Sequence, residues 1–386
     1  MGNTLSLKNS SFIVSMYALA LLYAVLENFL PSLSFFDEFI AMMLALYSVL
    51  FGGVLKKKEF LIFLCVVSFY LIYSRIANVN VFKAQLRDFV SITKPFLCFY
   101  AAYYLKGSLT ENQKYILSRL SLVLGGFLWI ILPFINTLYA NTAAFYTPCV
   151  LCAATYLVFS RKEKRDWIIA LFLLIPGLFT GRSKFYTEFV IFVFVAFFWK
   201  KSIKISLKWI FVAIILAAVS IFISWTKFNI YFVSGVENGV ARSLLYVKSF
   251  SVFMDYFPCG SGLGTFATDA SGKYYSPLYY IYDLDKVYGL SPDNYGTDDD
   301  FFSDTFYPVL IAEFGLLGII SFILFWKARF KNISKESPGF KLFIFLLFFV
   351  LIESIASPTF VTMTMIPIML AIGMLSSGKV QEKVKC

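Results

Sequence analysis

Along most of this chain the apolar residues run together, with polar ones confined to short interruptions. A helix that crosses a bilayer needs about 20 apolar residues in succession. Twelve runs approach or reach that length, at roughly 11–31, 33–54, 60–75, 89–105, 116–137, 143–160, 166–181, 183–199, 209–225, 306–326, 342–357 and 359–376. Peptide groups in lipid must bond within their own segment, so each run predicts a helix. The fourth begins in a polar stretch, Lys83 to Lys94, that fits a segment lying flat or re-entering as well as it fits a span. The expected fold class is all-α, a polytopic integral membrane protein with about 12 transmembrane helices. It divides into N-terminal membrane helices (1–225), a large loop (226–305), and C-terminal membrane helices with a tail (306–386).

The polar residues between the runs orient them. The net charge is +11, with basic residues clustered at Lys56–Lys58, Arg161–Arg165, Lys200–Lys208 and Lys327–Lys341. Basic clusters mark the cytoplasmic side of a bilayer. With the N-terminus inside, every strong cluster falls on that side. An even number of spans then puts both termini in the cytoplasm and the 226–305 loop outside. The first apolar run leads directly into a second and reads as a retained span rather than a cleaved signal. The same clustering argues against nucleic acid as the partner of so basic a chain. The bilayer is the partner it implies, in a bacterial-type inner membrane.

Composition agrees. Hydrophobic residues make up 59% of the 386, and charged residues 15%, against about 25% in a soluble domain. Cys149 and Cys152 have the spacing of half a zinc motif, but they lie inside an apolar run, no second pair follows, and the chain has no histidine. They read as core residues, and neither a metal nor a cofactor is expected.

The large loop carries the chemistry-bearing candidates. Loops of this length are more often functional than idle. It holds ten acidic residues against five basic ones and is rich in Tyr, Gly and Asp. Tyrosines in such a setting fit sugar stacking, and they fit equally a solvated loop with interfacial aromatics. Asp298-Asp299-Asp300 fits a divalent-ion site or a solvated turn. Arg182 stands at a junction of two spans, in Thr180-Gly181-Arg182-Ser183-Lys184, where a cation is costly unless paired or used. Arg242 opens a helical stretch of about fourteen residues that Pro258 would stop. Gly260, Gly262 and Gly264 follow, allowing a tight backbone approach. No Gly-Lys-Ser/Thr follows them, so this is not a phosphate loop of the Walker kind. Asp304 precedes Glu313 by nine residues, and Glu313, Gly315 and Gly318 suggest close packing around a buried carboxylate. Glu27, Glu188 and Glu353 also sit in apolar surroundings.

Taken in order, these motifs are an Arg at a span junction, an outer loop opening with Arg, Pro-x-Gly-x-Gly-x-Gly-x-Phe at 258–266, and a polar residue nine before Glu-x-Gly-x-x-Gly at 313–318. The combination resembles the O-antigen polymerase and ligase superfamily of bacterial envelope polysaccharide synthesis. The likeness covers 180–318 by motif and the rest by its pattern of spans.

The resemblance implies a multispan glycosyltransferase working at the outer face of the inner membrane. Its donor would be an oligosaccharide on undecaprenyl diphosphate. A polymerase moves the growing chain onto another lipid-linked repeat, while a ligase moves it to a different acceptor. The carrier's two phosphates suit guanidinium forks. Arg182 and Arg242 are therefore assigned to the diphosphate, with Lys184 in support. Pro258, Gly260, Gly262 and Gly264 would hold the loop against the donor. Arg242 and Asp304 are the catalytic candidates. Ligases of this group resemble each other in placing a His where this chain has Asp304. The lack of histidine favours a polymerase. Asp304 fits either a group that orients or deprotonates the acceptor hydroxyl or a helix N-cap. A chain-length regulator and a flippase would be natural partners. The alternatives are a ligase of the same build and a polysaccharide flippase or transporter, although no internal repeat of the kind transporters show is evident.

Overall fold

The computed structural model describes residues 2–29, 35–105, 109–139, 142–198, 215, 218, 222, 225–335 and 337–376. Among these residues the protein is all-helical, with no strand. The main helices are α1 (Gly2–Leu26), α2 (Phe36–Phe51), α3 (Lys58–Ala77), α4 (Phe82–Leu105), α5 (Glu111–Ile131), α6 (Tyr146–Phe159), α7 (Lys164–Leu178), α8 (Ser183–Val193), α9 (Ala241–Asp255), α10 (Tyr307–Ala312), α11 (Gly315–Asn332), α12 (Pro338–Glu353) and α13 (Met365–Ser376). The apolar run at 209–225 lies almost wholly outside the described residues.

Three helical stretches are long and apolar enough to cross a membrane: Lys8–Phe29, Lys58–Ala77 and Glu111–Leu138. Tyr146–Phe159 and Met365–Ser376 are apolar but shorter. Large apolar side chains face outward on these and neighbouring helices, among them Met42, Leu50, Ile72, Ile76, Val123 and Ile130. Such a surface is unfavourable in water and suits lipid.

The polar stretch Lys83–Lys94 is the first half of the continuous helix α4, which carries Pro95 in its interior. Its polar groups are buried because they find partners across helices. Lys94 pairs with Asp37 of α2, and the Gln85 amide donates to the carbonyls of Ser74 (2.8 Å) and Asn80 (2.9 Å). The run at 306–326 is not one rod. It breaks at Glu313-Phe314 into α10 and α11, with Gly315 at φ +54°. The last run begins as a short 3-10 turn, with its helix starting only at Met365.

Two apolar cores result. The larger joins α1, α2, α4–α8, α12 and α13. The smaller contains Leu245 and Val252 of α9, Phe266, Leu278, Tyr279, Leu290 and Phe302 of the large loop, and Tyr70, Ile92, Val309 and Ala312 of the helices beneath. The loop is thus a folded cap with its own interior. Tyr279 is fully buried, donates or accepts with Ser271 at 2.8 Å, and accepts from the Ala267 N–H. Tyr282 donates to Asp255 at 2.6 Å. These tyrosines are core and cannot stack on a sugar. The exposed ones are Tyr280 and Tyr288. In the acidic triplet, Asp300 accepts from the Gly296 and Phe302 N–H groups and so shapes its own turn.

The glycine turn is the joint between cap and bundle. Gly260, Gly262 and Gly264 all have positive φ. A Cβ on Gly260 would lie 2.5 Å from the Glu313 carbonyl oxygen, and one on Gly264 would lie 2.7 Å from the Ala84 backbone. The turn donates from Ser261 N and Gly262 N to the carbonyls of Ala312 and Glu313, at 2.8 and 3.0 Å. These carbonyls are freed by the helix break. The Glu313 carboxylate accepts from Thr265 N (2.6 Å) and Phe266 N (2.7 Å). Asp88 of α4 accepts from Gly264 N at 3.0 Å. The turn therefore packs on protein backbone. The expectation that it holds the loop against a donor is corrected: Gly260, Gly262 and Gly264 hold it against the broken helix. Pro258 likewise does not stop α9, which ends three residues earlier at Asp255; its carbonyl accepts from Leu316 N (2.9 Å).

Gly260→Ala and Gly264→Ala should each lower stability by about 2–4 kcal/mol, since a strained φ and a backbone clash act together. Gly126→Ala, where a Cβ meets nothing within 4 Å, should raise it by about 0.5–1 kcal/mol. Thermal unfolding of the purified protein in detergent compares the three.

Candidate functional site: a cation cluster under the cap

Three segments far apart in sequence meet at one end of the bundle. The first is the tight corner between α7 and α8. Pro176 and Gly177 close α7, and the Phe185 ring packs so near Gly177 that a Cβ there would lie 2.6 Å from it. Gly181 turns the chain at φ +66°. Arg182 then stands exposed as the residue before α8, and Lys184 lies in its first turn.

The second segment is the end of α12. Its last residue, Glu353, is 2% exposed. It accepts from Tyr146 Oη (2.6 Å), Lys184 Nζ (2.7 Å), Ser357 Oγ (3.0 Å) and Thr359 Oγ1 (3.3 Å). Lys184 also lies over the Tyr146 ring, 5.6 Å from its centroid. The third segment is the end of the cap. Phe306 N donates to the Ser354 carbonyl at 3.1 Å, which fixes Asp304 beside the end of α12. Arg242, from the first turn of α9, forms a salt bridge with Asp304 Oδ2. Its guanidinium lies 4.4 Å from the Tyr231 ring centroid. One turn further along α9, Tyr246 Oη donates to the Ile355 carbonyl at 2.8 Å.

Asp304 feels all three cations. Burial pushes its carboxyl above the usual range, while Arg242 chiefly, then Lys184 and Arg182, pull it back down. The residues expected to form one site, Arg182, Lys184, Arg242 and Asp304, are therefore brought together. One alternative is corrected. Asp304 is not a helix N-cap, because Phe306 holds that position before α10 and Asp304 is engaged by Arg242. Lys184, expected as a supporting cation, also pairs with Glu353. Sequence reasoning missed Glu353 as a member of this site and Tyr146 altogether. The only signal for Glu353 was a carboxylate closing an apolar run, and an aromatic such as Tyr146 gives none.

Beside Asp304 a cleft of about 30 Å³ is lined by Asp88, Thr268, Asp269, Ser303, Thr305 and Pro358. It has room for a water but not for a sugar ring. Thr305 Oγ1 and Arg242 Nε are buried there and nearby without a hydrogen-bond partner. A second groove, about 420 Å³ and wholly apolar, runs along α9, α10 and α11. Arrangements of this kind can bind an anion through fixed positive charge and present a carboxylate to a hydroxyl. Among the described residues no group of three or more Cys, Asp or Glu side chains is placed to hold a metal ion.

No protein family, no curated protein and no solved structure matches this chain in comparison.

A double-mutant cycle on Arg242→Ala and Asp304→Ala should show a coupling of about 1–3 kcal/mol in unfolding. The pH dependence gives a second check. A carboxyl raised by burial binds its proton more tightly folded than unfolded, so its ionisation costs stability as pH climbs from the unfolded to the folded value. Arg242→Ala removes the main opposing cation, so that loss should extend to higher pH than in the wild type, as read from melting temperature against pH.

Proposed function

We propose that this protein is an integral membrane glycosyltransferase that polymerises lipid-linked oligosaccharide repeats, with undecaprenyl diphosphate as the leaving group. The observation that carries this reading is the convergence of Arg182, Lys184 and Arg242 on Asp304, with Lys184 shared between Asp304 and Glu353. A diphosphate diester carries two negative charges and needs several fixed cations where it is released. Arginine suits this because its guanidinium stays charged and forks onto phosphate oxygens.

The apolar groove supports a lipid-linked substrate. Phe250 and Phe253 of α9, Leu310 and Ile311 of α10, and Phe322 and Ile323 of α11 line it. Arg242 and Phe253 lie on the same helix, about 17 Å apart at 1.5 Å per residue. A charged head at Arg242 with an isoprenoid tail in the groove matches that spacing. In this reading the chain spans the membrane with about twelve helices, both termini lie in the cytoplasm, and the cap faces outward. Asp304 accepts the proton of the acceptor hydroxyl as it attacks the anomeric carbon of the donor, and the diphosphate leaves onto the cations. Its raised proton affinity makes it a better base than an exposed carboxylate. Room for the acceptor must come from the open side of Arg242 or from movement of the cap, since the cleft beside Asp304 is too small.

Arg182→Ala and Arg242→Ala should each abolish long-chain polysaccharide in producing cells while leaving membrane insertion intact. Asp304→Asn should reduce it at least a hundredfold. Purified protein given one type of lipid-linked repeat should lengthen it. Normal chain lengths after both arginine changes would remove the assignment, and a need for a second kind of acceptor would favour a ligase.

A further inference from the structure

The cation cluster has a second layer that the proposed reaction does not use. Glu188 lies one turn beyond Lys184 on α8 and is 1% exposed. No donor reaches either of its carboxyl oxygens. Its polar neighbour is the carboxyl of Glu353. Two carboxyl groups side by side in a buried setting repel when both are ionised, so a single proton on the pair relieves the repulsion. The charged and titratable groups around the pair are Lys184 from the same helix as Glu188, Glu353 itself from α12, and Tyr146 from α6.

Counted as a unit, the pair holds one shared proton and one negative charge, and Lys184 balances that charge. Lys184 is also within electrostatic reach of Asp304 and 23% exposed toward the cluster. It therefore faces two anions, a buried one that it already serves and the site at which a diphosphate would arrive. Its single charge cannot fully neutralise both.

We infer that anion binding at this site is coupled to proton uptake, with Lys184 as the link and the Glu188–Glu353 pair as the proton acceptor. The inference rests on reading the cluster as a diphosphate cradle. When a diphosphate draws the Lys184 ammonium away from Glu353, the pair loses its counter-charge in a desolvated setting. It then takes one proton from solvent and becomes neutral. The balance closes: the ligand brings two negative charges, the proton replaces the positive charge withdrawn from Glu353, and no other group need change. Burial favours the exchange, because a carboxylate without its counter-charge is poorly solvated there. Tyr146, Ser357 and Thr359 remain as donors to Glu353 in either state.

The test is calorimetric, on the full chain in detergent or nanodiscs. The probe is farnesyl-diphosphoryl-N-acetylglucosamine, a diester whose phosphates do not titrate near neutrality, so any proton exchanged belongs to the protein. Binding is measured at pH 7 in two buffers of different ionisation enthalpy. The expected result is uptake of about one proton per ligand, with affinity falling up to about tenfold per pH unit as pH rises. In the double variant E188Q/E353Q the affinity should lose that pH dependence. Binding that proceeds with no proton exchange overturns the inference and leaves the cradle standing. Absence of binding from about pH 5.5 to pH 8 overturns the cradle and the inference with it. Should the double variant fail to fold, the two-buffer comparison on the wild type decides alone.

Discussion

The fold turns on a single buried carboxylate. Glu313 sits where a helix breaks, and it accepts the N–H groups of Thr265 and Phe266 from the turn that leads into the cap. The broken helix supplies the matching carbonyls at Ala312 and Glu313, which accept from Ser261 and Gly262. Donors and acceptors that would otherwise be buried without partners are thereby satisfied between two segments about fifty residues apart. The glycines make this possible because any side chain would hold the two backbones apart. Together with the Phe306–Ser354 and Tyr246–Ile355 contacts, this joint orients the cap so that Arg242 and Asp304, which lie on either side of it in sequence, meet.

With the joint in place, the cap's two ends are delivered to the corner of the bundle where Arg182 and Lys184 stand. Three of the charged groups there are held by something besides their formal partners. Arg242 rests on the Tyr231 ring, Lys184 lies over Tyr146, and Glu353 is held by three hydroxyl groups besides the ammonium. Hydroxyls and rings orient the charges without adding to the net charge of the cluster. A low-dielectric surround strengthens each of these contacts and penalises the loss of any one of them.

Many helix positions could be read from the sequence because a long apolar run favours a backbone that bonds within its own segment, but the runs at 306–326 and 359–376 carried no sign of where their helices break. Arg242, Asp304 and Arg182 could be read because charge near apolar runs is costly and therefore conspicuous. The two motifs at 258–266 and 313–318 were visible as motifs, but not as two halves of one contact. Their spacing carries no record of which backbone meets which. The aromatic richness of the loop misled in a different way. Composition counts Tyr279 and Tyr282 as it counts Tyr280 and Tyr288, whereas only folding decides which become core. Glu353 and Tyr146 escaped for a related reason: their roles come from a meeting of α6, α8 and α12 that no local pattern encodes. The polar first half of α4 looked like a candidate for re-entry because its partners, Asp37, Ser74 and Asn80, lie on other elements.

Helix α11 is gripped at both ends. At the top, Gly315 lies so close to the turn that a Cβ would come 2.5 Å from the Pro258 carbonyl oxygen. At the bottom, Arg329 is 2% exposed, pairs with Glu59 at the start of α3, and lies within 4.9–5.5 Å of the Phe99, Tyr103 and Phe325 ring centroids. About 21 Å of unbroken helix separates the two grips at 1.5 Å per residue. The glycine backbone on which the cap is seated is thus tied to the Arg329 anchor by one continuous helix.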